Sequence, residues 1–70
     1  MNIKLKAKRV EKMLTQEEIS KKLGMSIGSY NRKETGKLDF TLSEIQELMY
    51  ILDCDFDDLF FKKDVANKYE

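Results

Sequence analysis

Four times along this 70-residue chain the same short phrase occurs: an apolar residue, a residue that caps helix N-termini, and a second apolar residue four positions beyond the cap. The phrases are Leu14-Thr15 with Ile19, Met25-Ser26 with Tyr30, Phe40-Thr41 with Ile45, and Cys54-Asp55 with Leu59. The apolar pair is a hydrophobic staple, which fixes the direction in which the chain enters a helix. Glu18 and Glu44 complete capping boxes with Thr15 and Thr41: the hydroxyl takes a backbone N–H three residues on, and the carboxylate reaches back to the cap. Ser26 and Asp55 are plain N-cap candidates. The chain has no proline, so glycine and these caps are its punctuation. So many helix starts in so short a chain leave room only for short helices.

Apolar residues recur at helical spacing in Ile19 and Leu23, in Ile45, Leu48, Met49 and Leu52, and in Phe56, Leu59 and Phe60. Strands have little support. The pattern predicts an all-α fold, a compact bundle of five helices at 2–13, 16–23, 27–34, 42–52 and 56–61. The domain is expected over 1–61, with a C-terminal tail at 62–70, "KKDVANKYE", that reads as a frayed extension or part of a dimer contact. The second and third helices are near two turns each, too short to stand alone in water, so how they pack and what they present must justify them. Small Ser20 permits close approach of the third helix, and Gly24 can take the left-handed conformation that ends the second sharply. Two helices crossing around a short turn make a helix-turn-helix.

Composition excludes more than it suggests. A chain of this length with one cysteine has a small core and no disulfide framework, so a partner subunit is expected to add stability. There is no apolar run of ~18 residues and no secretory h-region, so no membrane association and a cytoplasmic location are expected. With no histidine and one cysteine, the chain lacks the usual metal cluster and any Ser-His or Cys-His pair. An enzyme is not expected, nor a cofactor, a metal or a small-molecule ligand. The formal net charge is zero, yet residues 1–37 hold ten basic side chains against four acidic ones, and residues 38–70 hold three against nine. Such segregation can set a basic face on a phosphate backbone, although two solvated helical surfaces would look the same.

From Leu5 to about Phe60 the sequence resembles the Cro/C1-type (XRE-like) helix-turn-helix family of phage and bacterial repressors. The resemblance rests on "KRVEKMLTQEEISKKLGMS", on "YNRKETGK" and on "LSEIQELMYILDCDFDDLF". Leu14 to Gly24 matches the family's "LTQxELAxxLG", with Ser20 in place of the usual alanine. Lys33 stands where the family usually has an apolar residue, and Phe40 falls near its frequent proline. The resemblance implies a five-helix, lambda-repressor-like DNA-binding domain whose third helix lies in the major groove of double-stranded DNA.

Carried over by position, the resemblance makes Ile27, Gly28 and Arg32 the base-contact candidates. Arginine has the donors for guanine O6 and N7, and Ile27 can meet a thymine methyl. Gln16, Thr35 and Lys37 fall at phosphate-contact positions, and Ser26 and Ser29 can donate similarly. A helix N-terminus such as that at Gln16 suits an anion in its own right. Arg9 and Glu34 match an ion pair that bridges the first and third helices. Tyr30 reads as a core residue, Cys54 as a small buried apolar residue, and the methionines as core filler.

The reading is a transcriptional regulator, a repressor or Cro-like protein, binding a palindromic operator as a homodimer. Phe61 is the expected dimer contact, because Phe60 fills the core and its neighbour points elsewhere. No further domain is expected, so control would come from concentration, a partner or degradation. The competing reading is a protein–protein adaptor, such as an antitoxin-like or polymerase-docking partner, on the same fold.

Overall fold

The computed structural model describes residues 2–61, which form α1 (Ile3–Glu11), α2 (Gln16–Leu23), α3 (Ile27–Glu34), α4 (Leu42–Leu52) and α5 (Phe56–Leu59), with no strand among them. The tail at 62–70 lies outside the described residues. Thr15 and Thr41 each accept the N–H three residues on while Glu18 and Glu44 accept the cap's own N–H, so both capping boxes are closed. Ser26 Oγ accepts from Ser29 N–H at 3.1 Å, and Asp58 Oδ2 accepts from Asp55 N–H at 3.0 Å.

Three of the links between successive helices end in the same three-residue device: Met13-Leu14-Thr15, Gly24-Met25-Ser26 and Asp53-Cys54-Asp55. In each, the first residue is left-handed, with φ of 60°, 71° and 50° respectively. Its N–H and that of the next residue turn back on the helix just ended, Met13 to Val10 O and Leu14 to Arg9 O, Gly24 to Lys21 O and Met25 to Ser20 O, Asp53 to Tyr50 O and Cys54 to Met49 O. This is the Schellman closure, which satisfies carbonyls the helix leaves unpaired. The middle residue packs against the core and also serves as the apolar half of the next staple. The third caps the next helix. Ending and restarting a helix thus takes three or four residues, which lets two-turn helices exist at all.

Two helix ends and one core assignment depart from the sequence expectations. α1 ends at Glu11 rather than 13, because Met13 turns left-handed, and Met13 is 88% exposed rather than core filler. α5 ends at Leu59 rather than 61, because Phe60 is extended (φ −137°, ψ 145°) and so swings its ring into the core. Met13→Gly is expected to stabilise the domain by up to about 1 kcal/mol, since a side chain at a left-handed position is strained and this one buries nothing. A denaturant melt checks it, and lower stability in the variant would contradict it.

The core is Leu5, Ile19, Tyr30, Phe40, Ile45, Leu48, Leu52, Leu59 and Phe60, with Leu14, Leu23, Met25, Met49, Ile51, Cys54 and Phe56 partly buried against it. All eight staple residues lie in one set or the other. Tyr30, Phe40, Phe60 and Phe56 form a row of tilted rings at centroid spacings of 6.0, 6.0 and 5.3 Å, within the range for favourable aromatic pairs. Phe40 therefore joins α3 to the chain beyond α5. Cys54 is half-buried rather than buried; burial, and secondarily Asp58, pushes its thiol pKa up, away from a reactive thiolate.

Candidate nucleic-acid interface

α2 and α3 pack closely because the residue at their crossing is small. Ser20 is buried, and its hydroxyl donates to Glu17 O at 2.8 Å, so the hydroxyl that replaces an alanine methyl is satisfied within its own helix. On α3, Tyr30 and Glu34, one turn apart, face inward. The same periodicity turns Gly28 and Arg32 outward, with Ile27 and Asn31 beside them on the flank nearer α2. Ile27 is 50% exposed. A Cβ built on Gly28 would stand 3.8 Å from Arg32 Nη1, so the guanidinium lies back along the helix toward its N-terminal turn. The Arg32 side chain has neither hydrogen bond nor ion pair with another described residue.

α3 is held rigidly from beneath. Arg9 Nε donates to Glu34 Oε2 at 2.8 Å and Arg9 Nη2 to Glu34 Oε1 at 3.1 Å, a two-point contact between planar groups. The remaining guanidinium nitrogen, Nη1, donates to Leu14 O at 2.8 Å, which ties the α1–α2 link to the same group. Glu34 also accepts from Tyr30 OH at 2.5 Å and from Gln16 Nε2 at 3.1 Å. Burial alone would raise the Glu34 carboxyl, but hydrogen bonds from Arg9, Tyr30 and Gln16 outweigh it and hold its pKa below the ordinary value. Burial, with the neighbouring carboxylate, pushes the Tyr30 phenol well up. Among the described residues no buried side-chain polar atom is left without a partner.

The C-terminal end of α3 is equally closed. Asn31 O accepts from Thr35 N–H, and Arg32 O from Lys37 N–H and Leu38 N–H. Lys33 O accepts from Gly36 N–H at 3.2 Å and from the Asn2 side-chain amide at 2.9 Å, and Glu34 O accepts from Asn2 N–H at 3.1 Å. Asn2 stands before α1 in an N-cap position yet makes no side-chain cap there. It docks on α3 instead, a role with no local signal. Lys33, polar where the resemblance led to an apolar residue, sends its stem inward and its Nζ to both Glu44 carboxylate oxygens at 2.7 and 2.9 Å, with the charge 6.0 Å from the Phe40 ring centroid.

The polar candidates differ in what they have left to offer. Ser26 donates to Ser29 Oγ at 3.0 Å while accepting Ser29 N–H, so the Ser29 hydroxyl proton remains available and that of Ser26 is used. Thr35 donates its hydroxyl to Asn31 O at 2.8 Å and must release it to meet a phosphate. Gln16 is engaged at both ends, through Nε2 to Glu34 and through Oε1, which accepts from Asn31 Nδ2 at 3.2 Å. Lys37 is exposed, with no side-chain partner among the described residues. Of the ten basic residues in 1–37, Arg9, Lys33, Lys8 and Lys21 are paired with Glu34, Glu44, Glu11 and Glu17. Lys4 is bound to Asp57 O and lies 4.8 Å from the Phe61 ring centroid. The cations left for an outside partner include Lys22, Arg32 and Lys37.

Phe61 is 43% exposed and stands beside α1. Among the described residues there is no cluster of His, Cys, Asp or Glu fit to hold a metal, and no helix long and apolar enough to cross a membrane. Compared with known families, the chain matches a family model described as helix-turn-helix over residues 5–59. No curated protein and no solved structure matches it significantly.

Proposed function

The chain belongs to the Cro/C1-type helix-turn-helix family of DNA-binding transcription regulators, and from that premise we propose that it is a repressor or Cro-like protein that binds a palindromic operator as a homodimer in the cytoplasm. The observation that carries this reading is a surface helix, α3, whose buried side and C-terminal carbonyls are bonded to the body while its outer face presents an unengaged arginine. Rigid presentation of an uncommitted donor fork is what base-edge readout needs. Arg32 is assigned to a guanine, Ile27 to a thymine methyl, and Gly28 to close passage of the backbone. Lys37, Ser29, Ser26, Thr35 and Gln16 are assigned to phosphates on either side. Phe61 is assigned to the dimer contact, and residues 1–61 to the DNA-binding unit.

Two recognition helices related by a two-fold axis should stand ~34 Å apart and address half-sites one DNA turn apart. Selection of bound sequences from a random DNA pool, followed by sizing of the chain alone and on the selected site, tests the proposal. The expected result is an inverted repeat bound by two chains. A single protected half-site would overturn the dimer. Phe61→Ser is expected to weaken operator binding and shift the mass toward monomer; no change in either would remove Phe61 from the contact.

A further inference from the structure

We infer that Asn31 is a further base-reading residue, specific for adenine, and that the buried Glu34 carboxylate sets the polarity of its amide through Gln16. The argument starts inside the protein. Glu34, held ionised by Arg9, can only accept hydrogen bonds. Gln16 must therefore turn its NH₂ toward Glu34 Oε1, at 3.1 Å, and its carbonyl oxygen the other way. That oxygen can only accept, so Asn31 must turn its own NH₂ to it, at 3.2 Å. Neither amide can flip without facing like against like. Asn31 is exposed on α3, and its Oδ1 has no partner among the described residues.

What Asn31 keeps for the groove is the acceptor Oδ1 and one Nδ2 hydrogen, since the other is held by Gln16. Adenine alone presents the complement, an N6 donor beside the N7 acceptor. Guanine presents two acceptors, and O6 would face Oδ1. The inference rests on the DNA-reading function proposed above. Asn31 reads the base; Gln16 and Glu34 are positioning residues that act through it.

The test takes the site selected by the wild-type chain and titrates it, with every single-base variant, against wild type, Asn31→Ala and Gln16→Ala. Asn31 is exposed and Gln16 lies at the surface end of the network, so both variants are expected to fold, which circular dichroism confirms before titration. Asn31→Ala should lose about tenfold in affinity for the selected site and drop its preference at one A·T pair per half-site. Gln16→Ala should relax preference at that same pair, which loss of a phosphate contact alone would not do. Equal weakening on all sequences by Asn31→Ala, or relaxation at a G·C pair, would overturn the inference while leaving the operator function standing. Unchanged preference at that pair in Gln16→Ala would overturn the relay. A wild-type chain that selects no sequence would overturn both.

Discussion

Glu34→Gln is expected to cost about 3–5 kcal/mol of folding stability, the penalty of leaving a buried charge without its partner. A domain of this size has only about 3–10 kcal/mol in total, so the variant should be largely unfolded or close to it. Glu34 is 3% exposed and Arg9 8% exposed, and water cannot replace what the substitution removes. Three groups donate to that carboxylate, the Arg9 guanidinium, the Tyr30 hydroxyl and the Gln16 amide, and Arg9 holds the Leu14 carbonyl as well. A glutamine there keeps the shape but turns an NH₂ toward a guanidinium that can only donate. Denaturant melts of Arg9→Ala, Glu34→Ala and the double variant measure the coupling. The double variant should lose markedly less than the sum of the singles, and additive losses would mean that the pair is not coupled.

The same network gives stability a pH dependence of defined sign. Because the folded pKa of Glu34 lies below its unfolded value, its contribution is complete above about pH 4.3, the ordinary glutamate value, and is lost as pH falls through the folded pKa. Glu44 is lowered likewise: burial pushes it up, but the Lys33 and Thr41 hydrogen bonds prevail. Wild type should therefore weaken on acidification below that point, and any Glu34 variant stable enough to measure should weaken less steeply.

The starts of α2 to α5 were legible in the sequence because N-caps are chemical: the hydroxyls at 15, 26 and 41, and the Asp58 carboxylate that takes the Asp55 N–H, each act locally whatever the rest of the chain does. The ends at Leu23 and Leu52 were legible, whereas that of α1 was not. Gly24 advertises a left-handed turn and Asp53 is of a type that tolerates one, whereas Met13 adopts the same conformation with nothing in its type to announce it, and the end of α1 was accordingly read two residues too late. The clue lay one residue later. Leu14, Met25 and Cys54 each sit between a helix end and a cap, and an apolar residue so placed serves both the closure behind it and the staple ahead. The polar network under α3 was legible only through resemblance, since Arg9, Gln16, Tyr30 and Glu34 lie on three helices with no spacing rule between them. Asn2 and Asn31 left no trace in the pattern, because an amide's role depends on which group turns toward it.

Arg32 and Lys37 should fail differently when removed, which separates reading of sequence from attraction to phosphate on one small surface. Arg32→Ala is expected to lose about 1–3 kcal/mol on the best site and to relax preference at one G·C pair per half-site. Lys37→Ala should weaken all sequences alike and lower the slope of log affinity against log salt by about one. The two differ in how they are held. Arg32 springs from the outer face of a helix closed at its C-terminal end by Asn2 and the Gly36 turn, and its guanidinium lies along that face beside Gly28, toward the N-terminal turn. Lys37 follows the left-handed Gly36 in the α3–α4 link, its backbone fixed to Arg32 O at 2.8 Å and its side chain exposed. A mobile ammonium on a fixed stem suits a phosphate oxygen, and a planar fork on a helix suits a guanine edge. Titrations at several salt concentrations against single-base variants measure both quantities at once. If Arg32→Ala lost affinity equally for every sequence and took one unit from the salt slope, its guanidinium would be on a phosphate. Specificity would then pass to Ile27, to Asn31 and to the sequence-dependent shape of the DNA.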